Sequence, residues 1–279
     1  MLKVEYMSDL HIGINKGIPS NIIPLNNVNN CDVLVLAGDI TDGNRHTDLN
    51  HFEFILKACN NYPHVIYVLG NHDHYGYVMQ FSVTEIQDKI KKINNGILPE
   101  NIIITEKGVL DLPQFNTTFI CATLWTDVSK RKHNECICDV NHIKYFDTTN
   151  MVCRMFSPND ITSIHKKHLT FIKQQYKKYN ALNRNIIVVT HHSPTFDTVH
   201  DYFKEETFNV FYATNLNKMI KKYSNIKYWI YGHTHHNVNY KLHNTTLLCN
   251  PCGYLHNKSD NFRKNDEVQF NSSAYITLD

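Results

Sequence analysis

The sequence lacks the features of a membrane or secreted protein. None of its apolar runs approaches the roughly 18 residues that a helix needs to cross a bilayer, so we expect no membrane span. The first residues, MLKVEYMSDLHIG, carry acidic side chains at once and no apolar core, which argues against a signal peptide. Without a secretory signal, the eight cysteines are interpreted as reduced thiols. These absences predict a cytoplasmic protein, located in the host cytoplasm if the gene is viral.

The chain is also poor in linker residues and in net charge. It has 10 glycines and 8 prolines in 279 residues, with no Pro/Gly-rich linker, no low-complexity tract and no internal repeat. This length suits one large domain or at most two, and the missing linker favours a single domain over residues 1–279. The net charge of +2 argues against a protein whose main task is to hold long nucleic acid electrostatically.

Histidine, by contrast, is in excess, with 18 residues. It is the commonest metal ligand and the usual acid or base at neutral pH, so histidines that cluster are candidate functional residues. A hydrophobic fraction of 42% and a charged fraction of 19% are typical of a globular protein.

Two blocks of predicted strands organise the chain. In the first block, short runs rich in Val, Ile and Tyr alternate with amphipathic helical patterns, which is typical of a parallel sheet with helices outside. The strands of this block are predicted at 2–7, 32–37, 64–69, 185–190 and 226–231. The helices are predicted at 48–62, 82–95, 157–179 and 214–223.

The second block has strands with few helices between them, predicted at 101–105, 107–112, 117–125, 237–242, 245–250 and 273–279. The simplest packing is two sheets, each covered by an outer layer of helices. The sequence therefore predicts the α/β class, with two mixed β-sheets flanked by helices. The least regular stretches, 126–156 and 192–213, are predicted to be long loops near the functional site.

Polar side chains follow the end of every strand in the first block. The motifs, in chain order, are SDLH, GDITD, GNHD, THHSP and GHTHH. The carboxyl ends of the strands form the ligand crevice of an open α/β sheet. We therefore expect all five motifs to contribute to one site, because polar residues at the ends of buried strands add nothing to the core.

The residue types narrow the chemistry of this site. The motifs supply Asp, Asn and His but no Cys, and these oxygen and nitrogen donors suit Mn²⁺, Fe²⁺, Zn²⁺ or Ni²⁺. The candidate ligands are too many for one transition metal and suit two ions with a bridging carboxylate. A pair of metals roughly 3.5–4 Å apart is the standard arrangement for displacement at phosphorus.

The order SDLH, GD, GNHD, THH, GHTH resembles the calcineurin-like metallophosphoesterase superfamily, whose five motifs are all present across residues 9–235. Each fragment alone is a weak signal, whereas five in order at strand ends are a specific one. The wider chain, with ATLWTD before the first long loop and CNPCGY near the end, resembles the small single-domain bacterial, phage and viral members. The resemblance implies a four-layer α/β/β/α sandwich.

The resemblance also implies roles for the motif residues. The ligands of a first metal would be Asp9, His11 and His235, and those of a second metal would be Asn71, His191 and His233. Asp39 would bridge the two ions. His72 would protonate the leaving oxygen without binding metal, and Asp73 would orient His72 or its loop. We predict two divalent cations as cofactors, with Mn²⁺ preferred over Fe²⁺, Zn²⁺ and Ni²⁺.

Two departures from related enzymes inform the subtype. Lariat-debranching enzymes resemble this chain but carry Cys at the position of His11, which argues against that activity. Purple acid phosphatases place a Tyr three residues after the bridging Asp, where this chain has Asp42, so no iron–tyrosinate site is expected. Asp42 is either a partner of the ligands or a simple turn residue.

Four further residues are candidate substrate contacts. His192 either contacts the substrate phosphate or faces solvent. Trp125 and Tyr254 either stack on a base or sugar or pack internally. Asn250, beside Pro251, is a candidate neighbour of the metal site. The basic tract SKRKHN at 129–134 either receives a phosphate-rich substrate or is a solvated loop.

We therefore predict a dinuclear metal-dependent phosphoesterase in which a metal-bridging hydroxide attacks phosphorus and His72 protonates the leaving group. The predicted substrate is a small phosphate ester or nucleotide, and diesters, including cyclic nucleotides and nucleic acid, are favoured over monoesters. One alternative is a nuclease acting on nucleic acid ends, which a continuous basic groove would favour. Another is a catalytically silent scaffold of the same fold, which would have lost ligands that this chain keeps.

Overall fold

The computed structural model describes residues 1–17, 22–44, 48–130, 138–201, 207–255 and 269–279. The strands in these residues are β1 Leu2–Met7, β2 Val33–Ala37, β3 His64–Val68, β4 Ile102–Thr105, β5 Lys107–Leu112, β6 Thr117–Ala122, β7 Lys144–Asp147, β8 Val152–Met155, β9 Asn185–Thr190, β10 Ile226–Tyr231, β11 Val238–Leu242, β12 Thr245–Cys249 and β13 Tyr275–Leu278. The α-helices are α1 Glu53–Asn61, α2 Ser82–Ile93, α3 Asp139–His142, α4 Pro158–Ala181 and α5 Asn217–Lys222.

Two large sheets carry most of these strands. The first sheet has the order β13-β1-β2-β3-β4, with β13 antiparallel to β1 and the other pairs parallel. The second has the order β11-β12-β10-β9-β6-β5, with antiparallel pairs at both edges and parallel pairs between. The mixed character predicted for both sheets is confirmed.

The sheets pack face to face, and helices cover their outer faces. Strand β2 illustrates the packing, since Val33 and Val35 face the second sheet while Leu34 and Leu36 pack towards α1 and α2. Both faces of this strand are buried, which is why its sequence, VLVLA, is continuously apolar. Helices α4 and α5 pack on the outer face of the second sheet. The predicted four-layer α/β/β/α sandwich is therefore confirmed.

Sheet membership differs from the prediction by sequence blocks. Strands β9 and β10, which were grouped with β1 to β3, belong to the second sheet. Strands β4 and β13, which were grouped with the second block, belong to the first sheet. The alternation of strands and helices along the chain indicates parallel pairing but not which distant strands become neighbours.

The stretch 126–156 is not the irregular loop that the sequence predicted. It contains α3 and the antiparallel hairpin β7-β8. The hairpin turn is stabilised by Asp147, whose carboxylate accepts backbone N–H bonds from Thr149 and Asn150. Most of the basic tract at 129–134 lies outside the described residues. In the described part of 192–213 the regular structure is a 3₁₀ segment, Thr207–Phe211.

None of the described helices is both long and apolar enough to cross a bilayer. The longest, α4, begins at a capping box, in which the Ser157 hydroxyl accepts the backbone N–H of Asp160 and the Asp160 carboxylate accepts the backbone N–H of Ser157. Pro158 occupies its first turn, as the sequence predicted.

Replacing Ser157 by Ala should lower the free energy of unfolding by about 0.5–2 kcal/mol, because the N-cap acceptor is lost. Urea denaturation monitored by circular dichroism measures this change. The control is Ser163→Ala, an exposed serine inside the same helix, which should change stability by less than about 0.5 kcal/mol. Equal effects of the two substitutions would contradict the capping role.

Candidate metal centre

The five polar motifs converge at the carboxyl ends of β1, β2, β3, β9 and β10. Three of these strands lie in the first sheet and two in the second, so the site is formed where the edges of both sheets meet. The expectation that all five strands share one sheet is wrong. A direct contact joins the two edges, since His191 Nδ1, just after β9, lies 3.0 Å from the carbonyl oxygen of Ala37 at the end of β2.

Three overlapping groups of candidate ligands lie in this site. In each group the ligand atoms are within 4.8 Å of one another. The groups are Asp9, His11 and His235; His11, Asp39 and His72; and Asp39, His191 and His233. Because His11 and Asp39 each belong to two groups, the three form one continuous cluster. Asn71 joins it through its Oδ1, which lies 3.0 Å from His191 Nε2.

In the first group, two imidazole nitrogens face each other. His11 Nε2 lies 3.1 Å from His235 Nε2, and His235 Nε2 lies 3.3 Å from Asp9 Oδ1. His11 Nδ1 lies 2.9 Å from Asp42 Oδ1, and a proton on Nδ1 shared with this carboxylate leaves the Nε2 lone pair directed into the group. A carboxylate behind a ligating histidine is the usual support of a metal ligand. Asp42 is therefore a partner of a candidate ligand and not a simple turn residue.

The third group, which Asn71 joins, is supported in the same way by the backbone. His191 Nδ1 faces the Ala37 carbonyl, so Nε2 points towards Asn71 Oδ1 at 3.0 Å and Asp39 Oδ2 at 3.4 Å. The ring of His233 lies 5.0 Å from that of His191, centroid to centroid. Nitrogen and oxygen atoms thus converge here as in the first group.

Asp39 lies between His11 of the first group and His191 of the third group. Its Oδ2 is 3.8 Å from His11 Nε2 and 3.4 Å from His191 Nε2. Its Oδ1 accepts the backbone N–H of His72 at 2.8 Å. One oxygen is therefore fixed by the GNHD loop, and the other faces both groups of ligands.

The electrostatics of the cluster favour cations. Burial raises the pKa of Asp9 and of Asp39, but the nearby imidazoles outweigh it and hold both values below the ordinary range. Burial lowers the pKa of His191, but Asp39 and Asp9 outweigh it and raise the value to about 9. Buried, ionised carboxylates that hold a proton on a neighbouring imidazole will also attract a divalent ion in its place.

The backbone of the ligand loops is strained. Five candidate ligands have left-handed backbone conformations, with φ between 44° and 68°: Asp9, His11, Asp39, His233 and His235. Such conformations cost non-glycine residues about 1–3 kcal/mol each and cluster at functional sites, where surrounding structure enforces them. Gly70 shows how tight this structure is, since a Cβ there would lie 2.2 Å from Asp39 Oδ1.

Asp73 organises the loops around Asp39. Its carboxylate accepts the backbone N–H groups of Asp39, Thr41 and Gly70 at 2.8–2.9 Å, and the hydroxyl groups of Thr41 and Tyr67. Burial and the nearby Asp39 raise the pKa of Asp73 to about 6, against the hydrogen bonds from Tyr67, Gly70 and Thr41, which lower it. The sequence left open whether Asp73 orients His72 itself or the loop that carries it, and these hydrogen bonds are to the loop backbone.

His72 lies over the cluster with its side chain 16% exposed. Its Nδ1 is 3.3 Å from Asp42 Oδ1, and its ring stacks on Tyr75 at 4.3 Å and contacts the edge of His11 at 4.6 Å. Burial lowers the pKa of His72, but Asp39 and Asp42 outweigh it, so the net value is raised. Bound cations would lower the pKa of His72, because positive charge nearby disfavours the imidazolium.

Two candidate substrate contacts from the sequence are buried instead. Trp125 is 1% exposed and packs against Phe156, so it is a core residue and cannot stack on a substrate in this structure. The Asn250 amide is used within the fold, donating to the carbonyls of Tyr6 and Asn271 and accepting the backbone N–H of Asn271. Their burial results from long-range packing that the local sequence does not reveal.

The other two candidates contact the ligands. His192 is 1% exposed, and its ring lies 4.2 Å from that of His233, so it does not face solvent. Tyr254 is half-buried, and its ring lies 4.5 Å from His11 and 5.0 Å from His235.

Sequence reasoning missed Asp139, whose buried carboxylate accepts a hydrogen bond from Asn71 Nδ2 at 2.9 Å. It belongs to the stretch predicted as a loop, and no motif marks it.

Comparison with known proteins is consistent with this geometry. A family profile described as calcineurin-like phosphoesterase matches residues 3–237. An uncharacterised protein, L509, of Acanthamoeba polyphaga mimivirus is 26% identical over 294 residues, covering 99% of this chain and 96% of that protein.

Two solved structures share the fold. The phosphopantetheinyl hydrolase PptH from Mycobacterium tuberculosis has a TM-score of 0.62 at 13% identity, covering 99% of this chain and 96% of that one. A dimetal phosphatase from Danio rerio has a TM-score of 0.50 at 12% identity, covering 91% of this chain and 87% of that one. With its five motifs gathered at one edge of a two-sheet sandwich, the chain belongs to the calcineurin-like phosphoesterase family and is a hydrolase of phosphoester bonds.

Proposed function

We propose that the cluster holds two divalent metal ions and that the protein uses them to hydrolyse a small phosphate ester or nucleotide. The observation that carries this proposal is the position of Asp39 Oδ2, which faces a group of ligand atoms on either side. A carboxylate oxygen placed between two sets of nitrogen and oxygen donors suits a bridge between two cations.

In this proposal, each set of residues holds one ion. Asp9, His11 and His235 would hold the first ion, Asn71, His191 and His233 would hold the second, and Asp39 would be shared between them. The donors suit Mn²⁺, which we propose as the metal, and also Fe²⁺, Zn²⁺ or Ni²⁺. Two such ions would make water a better nucleophile near neutral pH and would neutralise the charge that builds on the phosphoryl oxygens.

His72 is the proposed general acid. Its ring is partly exposed above the cluster, while Asp42 on Nδ1 and Tyr75 against its face fix the ring plane. This arrangement leaves Nε2 to deliver a proton to the leaving oxygen. Asp42 also contacts His11 and thereby sets the position of the acid relative to the first group of ligands.

We propose phosphodiesters as better substrates than monoesters, because a single acid above two cations suits an alkoxide leaving group. Tyr254, which is half-buried and contacts the candidate ligands His11 and His235, is proposed to line the substrate position. A phosphopantetheinyl hydrolase and a dimetal phosphatase are among the proteins of similar fold, and both names agree with a phosphoester substrate. A silent scaffold is disfavoured, because the full set of candidate ligands and His72 is present.

Asp39→Asn should lose most of the bound metal together with the activity, because the bridging charge is removed. His191→Ala should lose the second metal ion, which Asn71, His191 and His233 are proposed to hold. Elemental analysis after dialysis measures metal per chain, and about two equivalents of Mn²⁺ are expected in the parent protein. The control, Asp88→Asn, changes an exposed carboxylate on α2 and should keep the parent's metal content. Parental metal content in Asp39→Asn would refute the ligand assignment.

His72→Ala should keep its metal and lose turnover by roughly 10²–10⁴-fold on a substrate with an alkyl leaving group, because the alkoxide must be protonated. The loss should be much smaller on bis-p-nitrophenyl phosphate, whose leaving group departs without a proton. Steady-state kinetics on a matched pair of diesters, with Mn²⁺ added, measures both losses. An equal loss on the two substrates would mean that His72 contributes to binding and not to protonation.

A further inference from the structure

Asp139 connects the stretch between β6 and α4 to the candidate metal centre. Asp139 is 4% exposed, and one of its carboxylate oxygens, Oδ1, accepts two hydrogen bonds. The donors are Asn71 Nδ2 at 2.9 Å and the hydroxyl of Tyr75 at 2.7 Å. Asp139 is thus buried against the segment that carries the GNHD motif, and its two donors lie 68 and 64 residues before it in the sequence.

The bond to Asn71 decides which end of its amide faces the ligands. A carboxamide has one oxygen, which can bind a cation, and one NH₂ group, which cannot. Because Nδ2 donates to Asp139, Oδ1 is turned towards His191 Nε2, 3.0 Å away. Without an acceptor at Asp139, the amide would keep only its contact with His191 Nε2, a nitrogen that is itself a candidate metal ligand, and no contact of Nδ2 would oppose rotation of the NH₂ group towards the cluster.

The position of Asp139 is itself fixed by the backbone. Helix α3 is joined to the segment after the GNHD motif, since Gly76 donates its N–H to the carbonyl of His142 at 2.8 Å. Lys144 donates its N–H to the carbonyl of Tyr77 at 2.9 Å. These bonds hold α3 and the start of β7 in register with residues 76–78, so the carboxylate is presented to Asn71 at a set distance.

We propose that Asp139 is a positioning residue of the second metal site, which holds the Asn71 amide with its oxygen towards the metal. This inference rests on the proposed metal centre. Tyr75 extends the same arrangement, because its hydroxyl bonds to Asp139 while its ring stacks on His72. The stretch predicted as a loop therefore supports a ligand directly and the acid through Tyr75.

The test measures metal affinity, not activity. Isothermal titration of the metal-free protein with Mn²⁺ is carried out on the parent and on Asp139→Ala, Asp139→Asn, Asn71→Ala and the Asp139→Ala/Asn71→Ala double variant. Asp139→Ala should weaken one of the two sites about 10–100-fold, the usual effect of removing the partner of a metal ligand. Asp139→Asn keeps an acceptor oxygen and should stay within a few-fold of the parent.

The double variant separates positioning from a general effect. If Asp139 acts through Asn71, the double variant should bind Mn²⁺ as weakly as Asn71→Ala alone, with no further loss of affinity. The control is Asp147→Ala, which removes a turn carboxylate of the same stretch that does not contact Asn71. It should bind Mn²⁺ like the parent. Circular dichroism checks folding, and Asp139→Ser, whose shorter side chain draws the acceptor away from Nδ2, replaces Asp139→Ala if that variant does not fold.

Four results would overturn the inference. Parental affinity in Asp139→Ala beside weakened binding in Asn71→Ala would remove the role of Asp139 alone. Equal losses in Asp139→Ala and Asp139→Asn, or additive losses in the double variant, would indicate that the charge acts and not the orientation of the amide. Parental affinity in Asn71→Ala would instead refute the proposed metal centre, and the inference with it.

Discussion

The carboxylate of Asp39 is the contact on which the site depends. It lies at the end of β2, where the edges of the two sheets meet, and its Oδ2 faces His11 on one side and His191 on the other. His11 belongs to the first sheet's loops and His191 to the second's, so one buried charge joins the polar edges of both sheets. Removing that charge would leave His11 and His191 without the carboxylate that lies between them.

The fold supports this charge at a cost in backbone strain. Five candidate ligands have positive φ, and one of them, Asp39, lies in a loop that is held by Asp73, whose carboxylate accepts the backbone N–H groups of Asp39, Thr41 and Gly70. The apolar layers on both faces of the first sheet make the opposite contribution, because they bury strands such as β2 completely. The stability gained in the core therefore offsets the strained geometry at its edge.

Much of the fold was predictable because burial constrains which residues a strand or helix can contain. A strand buried on both faces must be apolar throughout, and a polar motif directly after it has no role in the core, which is why Asp9, Asp39 and Asn71 could be identified. Sheet membership could not be predicted from the order of elements, since β9 pairs with β6, a strand far away in sequence, and not with β1, β2 or β3. The burial of Trp125 and Asn250 and the position of Asp139 could not be predicted, because their environments come from packing between distant segments.

Anomalous diffraction from a crystal grown with Mn²⁺ locates the metal ions relative to Asp39. Two peaks roughly 3.5–4 Å apart are expected, one on each side of Asp39 Oδ2, the first beside His11 and His235 and the second beside Asn71 and His191. A single peak, or none within coordination distance of Asp39, would contradict the proposed pair of metal ions.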